Sequence, residues 1–363
     1  MGEKPSWKKL VLGNLAVAMA LLWGLNLVAA VGFDLHRWIV TRLPPVDEKA
    51  YRHAAAEAAN AVEVFREYAQ LQTRYVPYLG WLHHPFTGST TTIDANGDRR
   101  HRRIAADAPG PHVRLFGGST MWGKGVDDRH TVAAQINDLN PDASVYNHGV
   151  SGYVSRQELQ RLINLVNDGE PMDTVIFYDG CNDLFTLCRA DVSINGHREQ
   201  AKIIRRMEPY SHTAQTFFSG LRPLAETIAR AAELPSRCQE NPDEARRVAA
   251  TLVNNWRIAK MVAESAGARF HAVLQPVALV GRPNIAHLEG MLGDTRSRDY
   301  RLLYPLVQEI IRNEPGEWMH DFTDALDGGE AVYIDGCHLN GRGNAIIASR
   351  LDELLKRRAP ASD

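Results

Sequence analysis

Four short blocks hold the residue types from which acyl-transfer sites are built. They are Gly117-Gly118-Ser119-Thr120, Asn147-His148-Gly149-Val150-Ser151-Gly152, Asp179-Gly180-Cys181-Asn182-Asp183 and Asp335-Gly336-Cys337-His338. A serine hydroxyl becomes a useful nucleophile only when a base takes its proton, and imidazole is the side chain whose ordinary pKa suits that task near neutrality. A carboxylate can hold such an imidazole in one tautomer, while backbone N–H groups and a carboxamide can stabilise an oxyanion. Singly, each block is weak: Gly-Gly-Ser is usually a turn, and an Asp three residues before a His is common by chance.

These blocks need a framework, and the chain from His112 onward supplies one in short apolar runs that alternate with longer helical segments. That alternation predicts a three-layer α/β/α domain with a central, mostly parallel sheet. Strands are expected at Val113–Phe116, Ser144–Asn147, Thr174–Tyr178 and Phe270–Leu274. Helices are expected at about Val132–Asp138, Arg156–Val166, Asp243–Ala266, Tyr300–Asn313 and Gly341–Lys356. In open parallel sheets ligands sit beyond the carboxyl ends of the strands, and three of the blocks directly follow a predicted strand, with the last before the final helix. The segment from Phe185 to Asn241 breaks the rhythm and reads as an insertion shaping access to the site.

In this order and on this framework, the blocks resemble the SGNH/GDSL hydrolase superfamily over about Val113 to Leu355. The Asn182 and His338 blocks fit the family pattern at every defining position. The Gly-Asp-Ser-Leu of the family name is not kept, because Gly118-Ser119-Thr120 follows Gly117. The resemblance implies a flavodoxin-like fold and a triad of Ser119 as nucleophile, His338 as base and Asp335 as its orienting acid. It also implies an oxyanion hole made by the backbone N–H groups of Ser119 and Gly152 and the side chain of Asn182, with Gly149 as the alternative second donor. It brings Cys181 and Cys337 close together, which suggests one disulfide there and a second between Cys188 and Cys238; four free thiols are the alternative. No cofactor and no metal is implied.

The run from Leu10 to Phe33 carries no charge, and as a helix of about 36 Å it exceeds a bilayer core of about 30 Å. Lys4, Lys8 and Lys9 precede it, and Val28-Ala29-Ala30 would suit a signal-peptide cut, but signal h-regions of about 7–15 residues are shorter than this run, favouring a retained anchor. The expected organisation is therefore a tail (1–9), a transmembrane anchor (10–33), a helical stalk (34–74) and an extension packed on the catalytic domain (75–112). The hydrolase domain (113–357) follows, with an insertion at about 185–241 and a C-terminal tail (358–363). Anchor or signal, either reading carries the rest of the chain through the membrane, and four cysteines permit two disulfides in an oxidising compartment. The catalytic domain is therefore expected outside the cytoplasm, at a bacterial inner membrane facing the periplasm.

The net charge of −2 arises from 41 basic and 43 acidic residues that are well mixed, so a nucleic-acid partner is not expected. Gly118-Ser-Thr-Met-Trp-Gly123-Lys124-Gly125 nearly spells a phosphate-binding loop but places Gly125 where a Ser or Thr must reach magnesium. His83, His84 and His148 lack partners at metal-site spacing and read as surface or packing histidines, and Trp122 reads equally as pocket wall or core. The functional expectation is an extracytoplasmic serine esterase acting on an acyl ester, acetyl included, of an envelope glycan or lipid. Its alternatives are an O-acyltransferase to a polysaccharide hydroxyl and a non-catalytic SGNH-like binding or scaffold protein.

Overall fold

The computed structural model describes residues 7–42, 60–100, 110–207, 236–288, 292–293, 295–314 and 316–356. The chain divides into two compact units, one of Met1–Pro44 with Glu199–Leu234 and the other of Pro45–Arg198 with Pro235–Asp363. In the first unit Trp7–Arg42 is one continuous helix, longer at both ends than the uncharged run. Its stretch Trp7–His36 is the one helix among the described residues long and apolar enough to cross a membrane. Gln200–Met207 is the other described helix of this unit.

Among its described residues the second unit has nine strands: β1 (Thr73–Val76), β2 (Gly80–His83), β3 (Phe86–Thr87), β4 (Thr92–Ile93), β5 (His112–Gly117), β6 (Ser144–Asn147), β7 (Thr174–Asp179), β8 (Arg269–Leu274) and β9 (Met319–Asp321). Five of them form a parallel sheet in the order β6-β5-β7-β8-β9. Counted along the chain from β5 this is the order 2-1-3-4-5, whose direction of winding reverses between β5 and β7. That switch point lies where the Ser119 and Asn182 blocks leave the sheet.

Both faces of the sheet are covered, which is why its strands are continuous apolar runs rather than alternating ones. Phe116, Val175 and Phe177 point into one core with Leu159, Leu162, Leu252 and Trp256. Leu115, Ile176 and Val273 point into the other, with Ile136, Ile347 and Leu351. Helices Ser155–Asn167 and Pro242–Ser265 cover the first face, while Val132–Leu139 and Gly341–Lys356 pack together over the second. The start of Pro242–Ser265 is written locally. Asn241 accepts the Asp243 N–H at 2.9 Å, proline occupies the first turn where its missing donor costs nothing, and Asp243 and Glu244 lie at the positive end of the helix dipole.

The predicted strands and helices of the α/β layers are present, and their ends shift by one or two residues except that the helix expected from Tyr300 begins at Thr295. Strand β9 was not anticipated, because Met-His-Asp offers neither an apolar run nor an alternation. The expected stalk helix is described only as Ala61–Gln70. The rest of 43–59 lies outside the described residues, as do 208–235 of the insertion.

The residues before β5 are well built into this unit. β1 and β2 form an antiparallel hairpin, and Asp94 closes the turn before Arg99 by accepting the N–H groups of Asn96 and Asp98 at 2.9 Å. Arg99 is 1% exposed, and its guanidinium donates to the carbonyls of Gly123 at 2.6 Å and Val126 at 2.7 Å and to Asp128 at 2.9 Å. A buried cation is tolerable when its donors are used this fully. The consequence is that the extension braces the loop just after the Ser119 helix.

Candidate active site

Ser119 opens a single helical turn, Ser119–Trp122, directly after β5, and Gly123 ends it at φ 91°. The two preceding glycines are required by close approach. A Cβ at Gly117 would lie 2.8 Å from the Tyr178 carbonyl oxygen, and one at Gly118 would overlap the Asn182 amide nitrogen. The same Gly118 position lies 3.6 Å from the Tyr153 carbonyl, so the third block and the residue just after the second converge on the Ser119 turn. Trp122, at the end of that turn, is a core residue with 1% exposure.

His338 reaches this turn from 219 residues away, and the Ser119 hydroxyl donates to its Nε2 at 2.7 Å. On the other edge of the ring Nδ1–H donates to Asp335 Oδ2 at 2.7 Å. Asp335 is fixed in turn by the backbone N–H groups of Cys337 at 3.0 Å and His338 at 2.9 Å, so the three-residue spacing closes a local turn that aims the carboxylate at the ring. Burial alone would raise the Asp335 carboxyl. The charge and hydrogen bond of His338, the ammonium of Lys124 3.9 Å away and the Cys337 N–H outweigh it and hold the group well below the usual carboxylate range. A charged carboxylate at Nδ1 leaves Nε2 as acceptor for the serine proton.

The three donors expected of an oxyanion hole come from this turn and from the loops after β6 and β7. The N–H of Ser119 belongs to the first helical residue, Gly152 adopts φ 82° in the loop after β6, and Asn182 sits on the helix Cys181–Thr186 that follows β7. Among the described residues none of the three donors has a hydrogen-bond partner. Gly149 differs. Its N–H donates to Asn147 Oδ1 at 3.0 Å, and a Cβ there would lie 2.9 Å from Met121 and Trp122 backbone atoms, so it is committed to packing beneath the turn. Asp183 ties the donor loops together by accepting the Ser155 N–H at 3.0 Å and the Ser155 hydroxyl at 2.6 Å.

The four cysteines divide. Cys188 and Cys238 form a disulfide with Cα atoms 5.3 Å apart. Cys181 and Cys337 are buried free thiols, so the bridge expected between them is not formed. The two thiols instead hydrogen-bond each other, and each has a further neighbour: Cys181 Sγ lies 3.0 Å from the Tyr300 hydroxyl, and Cys337 Sγ lies 3.7 Å from His338 Nδ1. The donor atoms of Asp335, Cys337 and His338 lie within 4.8 Å of one another, close enough to hold a metal ion. Holding one would displace the Nδ1 proton that Asp335 already accepts.

His148 is a packing residue, with Nδ1–H donated to Asp98 at 2.8 Å and Nε2 3.0 Å from Arg114. Burial, helped by the nearby arginines, lowers its pKa to about 4 against the opposing pull of Asp98. His83 is also buried beside Trp122, with ring centroids 5.5 Å apart. The stalk helix and the extension contribute contacts that the sequence did not disclose. Tyr68 donates to Ser151 Oγ at 3.2 Å and packs edge-on against Trp122, and Trp81 donates to the Ser151 carbonyl at 3.3 Å. Lys124 likewise has no signature in the sequence beyond the failed phosphate-loop match.

No family model matches this sequence, and no curated protein matches it. Solved structures similar to it include a member of the lipolytic protein G-D-S-L family from Veillonella parvula, at 13% identity and TM-score 0.39 over 69% of this chain and 100% of that one. A carbohydrate acetylesterase from Sinorhizobium meliloti is similar at 14% identity and TM-score 0.38, over 68% of this chain and 98% of that one. An aryl esterase from M. smegmatis is similar at 13% identity and TM-score 0.38, over 68% and 99%. At such identities the likeness concerns the fold.

Proposed function

We propose that this chain is a serine esterase that forms an acyl-serine at Ser119 and resolves it with water. The observation that carries this reading is the unbroken relay from the Ser119 hydroxyl through His338 to Asp335, with both ring hydrogen bonds at 2.7 Å. His338 Nε2 takes the serine proton as the hydroxyl attacks the ester carbonyl and returns it to the departing alcohol. The charge that develops on the carbonyl oxygen is received by the N–H groups of Ser119 and Gly152 and the Asn182 amide, donors that need no reorganisation because the fold leaves them unpaired. Water then repeats the attack with His338 again as base. Transfer to a sugar hydroxyl would use the same groups; no contact in the structure favours it over water.

The catalytic unit is placed outside the cytoplasm, anchored through the N-terminal helix. Two features support this: an apolar helix preceded by Lys4, Lys8 and Lys9, and the Cys188–Cys238 bridge, of a kind that persists in oxidising compartments. Substrates within reach of such an anchor are acyl esters of envelope glycans or lipids. The test is turnover of p-nitrophenyl esters of increasing acyl length by the full chain in detergent. Ser119→Ala is expected to lower kcat/KM by at least about 10³-fold without altering the circular dichroism spectrum. Equal rates for the two proteins would refute the assignment.

A further inference from the structure

Within the insertion lies a helix whose sides are placed the wrong way round for water. Gln200–Met207 reads Gln-Ala-Lys-Ile-Ile-Arg-Arg-Met. At about 100° per residue Ile203, Ile204 and Met207 share one side, with Gln200 as the one polar residue among them. Ala201, Lys202, Arg205 and Arg206 take the other positions. Ile203 is 38% exposed, Ile204 45% and Met207 77%. Lys202, by contrast, is half-buried and pairs with Glu199 at 3.2 Å. A helix this short does not hold itself in water and depends on burying its apolar side, yet here that side is the outward one.

The rest of its unit indicates what covers that side. Although it is inserted in the hydrolase sequence, Glu199–Leu234 forms a compact unit with Met1–Pro44, which holds the apolar helix Trp7–His36. Gln200–Met207 carries three basic residues and no acidic one. A helix of this composition suits an anionic lipid surface, where the apolar side enters the boundary between headgroups and acyl chains and the cations meet the phosphates. We propose that Gln200–Met207 docks on the anionic surface of the bilayer that Trp7–His36 spans, with Ile203, Ile204 and Met207 buried about 5–10 Å into the headgroup boundary. The proposal goes beyond the esterase reading and rests on the reading of the N-terminal helix as an anchor. It gives the chain a second membrane contact, remote in sequence from the first.

The test uses the full chain in lipid nanodiscs, with Met207→Cys carrying an environment-sensitive fluorophore. The native cysteines are bridged or buried and should not react under native conditions. Discs of phosphatidylcholine and phosphatidylglycerol are made with and without a lipid that bears a nitroxide near the top of its acyl chain. The nitroxide lipid is expected to quench the label at position 207 about twofold or more, and the same label at Ala201→Cys markedly less. Replacing the phosphatidylglycerol by phosphatidylcholine, or adding Ile203→Asp with Ile204→Asp, should remove most of that quenching. A label at Leu21→Cys, midway along the apolar helix, reads the anchor separately against a nitroxide deep in the chain. No quenching at position 207 while the label at position 21 is quenched would overturn the proposal and leave the anchor standing. No quenching at either would refute the anchor reading and the proposal with it. Equal quenching at positions 201 and 207, or in both lipid mixtures, would also overturn it. So would a label at position 207 that is shielded from aqueous iodide yet untouched by the nitroxide lipid, the mark of cover by this chain or a second copy of it.

Discussion

Two groups of carboxylates stand near the Ser119 and His338 turns, and the fold shifts them in opposite directions. Asp335 is partly exposed at the edge of the site, and the neighbouring imidazole, an ammonium and a backbone N–H keep it ionised. Glu158, Asp179 and Asp183 are buried behind the Gly152 and Asn182 loops. Burial pushes all three up, and the charges of neighbours add to the rise in Glu158 and Asp183. Glu158 and Asp179 share a hydrogen bond, Trp256 Nε1–H donates to Asp179 at 2.7 Å, and Ser155, itself held by Asn255 at 2.9 Å, donates to Asp183. The same functional group is held charged where cations and N–H groups face it, and is pushed up where burial and like charges dominate.

The most severe way to break this contrast is to neutralise the charged member. Asp335→Asn keeps the shape but presents the wrong hydrogen-bond partner to Nδ1, and kcat on short-chain esters should fall by about 10³–10⁴-fold with little change in fold, measured by initial rates and circular dichroism. A next smaller effect tests whether the loops in front of the buried cluster carry the donors. Asn182→Ala should lower kcat by about 10²–10³-fold while KM changes little, the pattern of an interaction made in the transition state.

The smallest effects are in stability, where the two groups should act with opposite sign. A carboxyl held low in the folded state stabilises it above its unfolded pKa, so the Asp335 contribution is present above about pH 4 and is lost as pH falls below that. A carboxyl raised in the folded state does the reverse. Asp183, pushed up to about 8 by burial and by the charge of Asp179, contributes fully below about pH 4 and loses that contribution as pH rises through about 8. Thermal melts of wild type should therefore decline from mildly acid to mildly alkaline pH. Asp183→Asn, which still offers an acceptor to Ser155, should flatten that decline and melt a few degrees higher than wild type above about pH 8. A steeper decline in the variant would assign the buried acids a different role.

Much of the site is legible in the sequence because its parts are local and rigidly spaced. A glycine pair before Ser119, a carboxylate three residues before His338 and an Asn two residues after Gly180 each report the demands of a single turn, and the strand framework says where the turns gather. What stays hidden depends on long-range packing. Nothing near Arg99, Tyr68 or Trp81 announces that these side chains reach the Ser119 and Gly152 loops, since their partners lie tens of residues away. The cysteines show the same limit: the blocks do bring Cys181 and Cys337 together beside the site, yet they stay thiols that hydrogen-bond each other, and no pattern links Tyr300, 3.0 Å from Cys181 Sγ, to them. β9 escaped notice because a short edge strand needs only three residues and no apolar run.

The central claim is that Ser119 attacks the substrate, and covalent capture tests it most directly. Treatment with a fluorophosphonate, followed by peptide mass spectrometry, should find one adduct, on Ser119. The adduct should be absent from Ser119→Ala and form far more slowly in His338→Ala, in step with lost ester hydrolysis. Ester hydrolysis that persists with Ser119 unmodified, or stoichiometric labelling of another residue that abolishes it, would contradict the account.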